Sequence, residues 1–150
     1  MLRAAGPRIY GYDATEGRLL VSEDSGRKWS ERSPPAPVID LAIDPRDAAR
    51  VVVTSEAGPY ASGDAGATWR PLPEAPAGLL AWTDGLVLVD GSGAVWRSTD
   101  SGRLFRTVGR IGGQPAALSS DGDELYVALH DNTVKRSGNG GRSWSVRARG

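Results

Sequence analysis

The chain has 150 residues, room for one ordinary domain. Its 18 Lys and Arg cancel its 18 Asp and Glu, so bulk charge drives it toward neither nucleic acid nor an anionic membrane. The absence of cysteine excludes disulfides, thiolate metal sites and cysteine nucleophiles, and His130, as the single histidine, excludes polyhistidine metal centres.

Gly 20 and Pro 10 punctuate the chain with tight turns and leave little room for long helices. No apolar run approaches the ~18–20 residues that cross a bilayer, and the opening MLRAAGPRIYGY has no long apolar segment of the signal-peptide kind. Strands are predicted at Arg8–Tyr12, Arg18–Ser22 and Lys28–Glu31. A preceding strand would have to be Met1–Ala5, short and poorly patterned, with Leu2 able to face inward; the first unit is therefore frayed or takes its edge from elsewhere. Val38–Asp44 alternates, with Ile39, Leu41 and Ile43 on one face. A turn at Pro45–Ala48 follows, then strands at Arg50–Ser55, Pro59–Ser62 and Thr68–Leu72. The next set is Gly78–Trp82, Leu86–Asp90, Ala94–Ser98 and Leu104–Val108. The last is Pro115–Ser119, Glu124–His130, Thr133–Ser137 and Ser143–Arg147, with a hairpin at Asp121–Glu124.

This succession repeats because a short motif repeats. Ser22-Glu23-Asp24-Ser25-Gly26-Arg27-Lys28-Trp29, Ser62-Gly63-Asp64-Ala65-Gly66-Ala67-Thr68-Trp69, Ser98-Thr99-Asp100-Ser101-Gly102-Arg103-Leu104-Phe105 and Ser137-Gly138-Asn139-Gly140-Gly141-Arg142-Ser143-Trp144 align without gaps as S-x-[DN]-x-G-x-x-[WF]. Successive Asp or Asn positions lie 40, 36 and 39 residues apart, the span of four short strands and their turns. The chemistry is that of a hairpin turn. Asp or Asn folds back onto backbone N–H groups two residues on, and glycine supplies positive φ. Ser bonds across the loop, and the aromatic begins the next strand with its ring turned into the core. The shared positions of the motif offer at most one carboxylate per turn, and only Asn139 in the fourth, far from the six to eight oxygens calcium takes.

Four strands per unit, each unit with its turn signature, describe a β-propeller. The motif resembles the Asp-box, or BNR repeat, of sialidases, other glycoside hydrolases, sortilin-type receptors and the photosystem II assembly factor; Asp64 with Thr68-Trp69 matches it fully and Asn139 with Ser143-Trp144 closely. Lys28 and Leu104-Phe105 depart mildly. The resemblance implies that the repeated residues sit at the outer rim, between the third and fourth strands of each blade. Ligand groups then come from the inner strands, and the relatives are commonly secreted or in the cell envelope. A sialidase-like site implied by it would need an arginine triad, a Tyr–Glu pair, an acidic acid/base and an Arg-Ile-Pro segment. Pro7-Arg8-Ile9-Tyr10 has the wrong order for that segment, and four repeats are fewer than such a ring uses.

Outside the motif, Trp82 ends the first strand of its unit near a loop and is the best single candidate for ligand contact. Glu124, Tyr126 and His130 share one face of a strand, which reads as a solvated or blade-packing face ahead of a polar channel lining. Adjacent His130 and Asp131 read as a turn rather than a catalytic pair. After Asp131 every charge is positive (Lys135, Arg136, Arg142, Arg147, Arg149), which protects an outer edge strand from pairing or meets an acidic partner.

The expectation is an all-β propeller of four four-stranded blades, approximately 1–34, 35–75, 76–112 and 113–150. It has no catalytic residues, metal or cofactor of its own. It acts as a binding or scaffold module with a protein or glycan ligand, without nucleic-acid binding or membrane insertion; the alternative is part of a sialidase-like or other glycoside hydrolase. An open row of four leaves two end faces. Closure comes from a tight four-bladed ring, from two chains forming eight blades, or from blades outside this sequence, and a symmetric dimer or larger ring is favoured.

Overall fold

The computed structural model describes residues 1–73 and 75–149. Among these there is no helix; sixteen strands form four antiparallel sheets, each with its strands in chain order. The first sheet is β1 (Leu2–Ala5), β2 (Arg8–Asp13), β3 (Arg18–Ser22) and β4 (Ser30–Arg32). The second is β5 (Asp40–Asp44), β6 (Asp47–Ser55), β7 (Gly58–Ser62) and β8 (Arg70–Pro71). The third is β9 (Gly78–Trp82), β10 (Leu86–Asp90), β11 (Ala94–Ser98) and β12 (Arg106–Arg110). The fourth is β13 (Pro115–Asp121), β14 (Glu124–Leu129), β15 (Val134–Ser137) and β16 (Ser145–Ala148).

The sheets stand side by side as blades of a β-propeller, with β1 against β5, β5 against β9 and β9 against β13. Period-two alternation makes this possible, because a strand flanked on both sides sends successive residues into opposite junctions. In β6, Val51 and Val53 meet Tyr10, Leu19 and Val21 of the first sheet, whereas Val52 faces the third sheet with Leu80, Leu88 and Phe105. The third and fourth sheets join through Val87, Val89 and Val95 against Leu118, Leu125 and Val127. Each such side chain contributes about 1.5–3 kcal/mol on full burial. Among the described residues the apolar clusters fill these three junctions, and none joins the fourth sheet to the first.

The motif turns are nearly superimposable in their hydrogen bonding. Ser22, Ser62, Ser98 and Ser137 are buried, and each Oγ accepts the N–H of Gly26, Gly66, Gly102 or Gly141 at 2.8–2.9 Å. Each hydroxyl donates to the oxygen of Asp24, Asp64, Asp100 or Asn139 at 2.7–3.0 Å. That oxygen in turn accepts a backbone N–H four residues on, from Lys28, Thr68, Leu104 or Ser143, at 2.8–3.0 Å. The carboxylate thus spans a wider loop than the two-residue Asx-turn expected. The glycines hold φ of 86–92°, and the residue before each, Ser25, Ala65, Ser101 or Gly140, is also left-handed at 59–73°. Three of these four carry side chains, so nothing in the residue type announced the second left-handed position.

Four expectations are corrected. The fourth strands begin after the motif aromatic rather than on it, because the ring closes the turn: Trp29 and Trp144 donate from Nε1 to the carbonyls of Gly26 and Gly141 at 3.0 and 2.9 Å. β1 is fully paired with β2, Leu2 opposite Gly11 and Ala5 opposite Arg8, so the first blade has its own inner strand. Ile39 lies outside β5 and is exposed, while Leu41 is buried; β6 starts at Asp47 because Asp44 Oδ1 accepts the Arg46 N–H at 2.9 Å and tightens the reversal.

Candidate functional site

The inner strands of all four blades line a central cleft of about 610 Å³. Its walls are largely small and aliphatic, among them Leu41, Leu80 and Leu118, with Ser119, Ser120 and Arg3 as polar groups. Behind this wall, buried Asp40 ties three blades together. Its Oδ1 accepts Arg3 Nη2 at 3.0 Å and the Leu41 N–H at 2.9 Å, and its Oδ2 accepts the Leu80 N–H at 2.9 Å. A carboxylate taken out of water must be matched in this way or it destabilises the fold. Sequence reasoning missed Asp40. Its only signal was an acidic residue at the head of an otherwise apolar alternating strand.

A second groove, of about 370 Å³, runs between the second and third blades on the side of the motif turns. Arg50, Arg70 and Arg103 border it; Arg50 reaches Ser101 Oγ and Arg70 the Ser101 carbonyl, both at 3.4 Å. Trp82 lines both this groove and the central cleft, yet is only 8% exposed and packs with Leu86, Leu88 and Phe105. Most of the indole is thus structural, and only a small part of it is presented to either space.

Glu124 and Tyr126 come together on β14, far from Trp82 in the chain and on another blade. The Tyr126 hydroxyl donates to Glu124 Oε2 at 2.9 Å, and Arg136 of β15 pairs with Oε1. The guanidinium, and after it the phenol, hold the Glu124 carboxyl down at about 2. His130 does not join them. It lies past the end of β14 in an exposed turn, where Asp131 Oδ1 accepts the Thr133 N–H at 2.9 Å. Among the motif carboxylates, the Thr68 hydroxyl and backbone N–H hold Asp64 down at about 2, and the N–H groups of Lys28 and Leu104 lower Asp24 and Asp100. Of the basic residues near the end of the chain, Arg136 is paired, Lys135 Nζ donates to the Ile111 carbonyl at 2.7 Å, and Arg142 to the Asn139 carbonyl at 2.9 Å. Among the described residues no three His, Asp or Glu side chains converge as a metal centre requires. Nor, among the described residues, is any helix long and apolar enough to cross a membrane.

Fold and clefts define a β-propeller whose accessible chemistry lies on its inner strands and between its blades. No protein-family model matches the chain, and no curated relative does. Among solved structures it is similar to YCF48 bound to D1 peptide, with TM-score 0.68 and 17% identity over 93% of this chain. It is also similar to the GH74 xyloglucanase of Xanthomonas campestris, with TM-score 0.77 and 27% identity over 99% of this chain. A GH74 enzyme of Niastella koreensis aligns with TM-score 0.71 and 18% identity over 93% of this chain. The chain spans 50% of the YCF48 structure and 25% and 22% of the two GH74 structures.

Proposed function

We propose that this chain is an Asp-box (BNR-type) propeller module that works by binding rather than by catalysis, self-associates, and takes an extended protein segment across its inner strands. The observation that carries this reading is the lining of the central cleft, where aliphatic walls, two serine hydroxyls and one guanidinium suit a peptide chain and its carboxylates. The neighbour whose structure contains D1 peptide supports the choice of a protein ligand over a glycan. Selection from a displayed library of linear peptides tests it. Binders are expected that lose affinity when Ser119→Trp fills the cleft, whereas binders indifferent to that change would refute the assignment. The second reading, part of a glycoside hydrolase, is favoured by the 27% identity to the xyloglucanase over nearly the whole chain. Release of reducing ends from xyloglucan by the purified chain would establish it and overturn the first.

A further inference from the structure

The first sheet presents to solvent a face that the other three sheets bury. Leu2 pairs with Gly11 as Leu41 pairs with Val53, Leu80 with Leu88 and Leu118 with Val127. Leu41, Leu80 and Leu118 are buried in the three junctions, but Leu2 is 66% exposed. Ile9 pairs with Ser22 as Val51 does with Ser62, Leu86 with Ser98 and Leu125 with Ser137, and only Ile9 of the four is not fully buried. Trp29 is 44% exposed, against 6% for its counterpart Phe105.

What such a face meets is visible at the first junction. There the turn before Trp69 sits on Leu19 and Arg32 of the preceding sheet, and Arg32 Nε donates to the Ala65 carbonyl at 3.2 Å. Arg32 is three residues beyond its motif aromatic and Leu19 three before its motif serine. In the fourth sheet those two positions are Arg147 and Val134. The outward side of the fourth sheet thus repeats the pair on which the second sheet's turn rests, and Ser25 of the first sheet stands where Ala65 stands. The Glu124–Arg136 pair on that side has a precedent within a junction: Arg97, at the same position as Arg136, pairs with Asp84 at 2.9 Å with its side chain only 10% exposed. Ser25 stands where Gly140 stands in that junction, and a Cβ at Gly140 would fall on the Arg97 guanidinium, so that one contact is not repeated unchanged.

We infer that two copies of this chain close head to tail. The Leu2–Ile9–Trp29 face of each packs on the Val134–Arg147 face of the other, and Arg147 donates to the Ser25 carbonyl of its partner, giving an eight-bladed ring with twofold symmetry. This rests on the self-association part of the reading above and specifies which faces meet. Light scattering at micromolar concentration is expected to give twice 15.8 kDa. Leu2→Asp on one face and Arg147→Glu on the other each weaken the dimer about tenfold or more while leaving the circular dichroism of the chain unchanged. The chain has no cysteine, so a Ser25→Cys copy and an Arg147→Cys copy can be mixed and treated with a short bis-maleimide. A cross-linked dimer is expected from the mixture and from neither variant alone. A monomer mass would overturn both the pairing and self-association. A dimer that withstands both substitutions, or that cross-links within a single variant, would overturn the pairing and leave self-association standing. Masses that grow with concentration beyond the dimer would overturn ring closure.

Discussion

Ser62→Ala removes one oxygen from the best-formed motif turn, and its cost follows from what that oxygen holds. Ser62 Oγ accepts the Gly66 N–H at 2.8 Å and donates to Asp64 at 2.8 Å. Water cannot replace it easily, because Gly66 is buried and a Cβ on it would lie 3.2–3.4 Å from Trp69, Arg32 and Leu19. The variant therefore leaves a buried donor unpaired, a penalty of about 1–3 kcal/mol. Taking about 2 kcal/mol and about 2–4 °C per kcal/mol for a chain of this size, the melting temperature falls by about 4–8 °C. Thr68→Val is the control. It removes the 2.5 Å bond from Thr68 Oγ1 to Asp64, but both groups reach water, so about 0.5 kcal/mol or less is expected. Both are measured by thermal and urea unfolding at one fixed protein concentration, because association raises apparent stability. If Ser62→Ala costs no more than Thr68→Val, the buried serine is not what shapes the turn.

Gly109→Ala puts a Cβ 2.4 Å from the Gly141 carbonyl oxygen, a backbone atom that cannot swing aside, and should cost about 2–3 kcal/mol. Gly17→Ala meets nothing within 4 Å and suffers only from its φ of +67°, so urea midpoints should show about 1 kcal/mol. Leu88→Ala, in a fully buried site of β10, should lose about 2–5 kcal/mol in the same experiment. Asp64 and Glu124 are both held down at about 2 from ordinary values of 3.8 and 4.5. Depressed carboxyls stabilise the folded state above the unfolded value and lose that contribution as pH falls through the folded one. Melting temperature should therefore be level above about pH 5 and decline toward pH 2, with Arg136→Ala removing the Glu124 part of the decline; an unchanged profile would count against the pair.

Most of what depends on neighbours a few residues apart is legible in the chain itself. Serine, Asp or Asn and glycine at fixed spacing close a turn through their own hydrogen bonds, and four such turns with alternating apolar strands between them spell four antiparallel sheets. The left-handed Ser25, Ala65 and Ser101 escaped because the turn forces that conformation on residues that do not prefer it. Tertiary structure alone decided what joins residues about forty apart. Asp40 clips Arg3 to Leu80 across three blades, the inner strands enclose a cleft, and Trp82 is mostly absorbed into a junction. Most telling are Trp29 and Leu2, which are the same residue types as Trp69 and Leu41 at the same repeat positions, yet are 44% and 66% exposed, while Leu41 is buried and Trp69 packs against the same core. Local chemistry specifies each blade face; whether a face is core or surface depends on whether another blade stands against it.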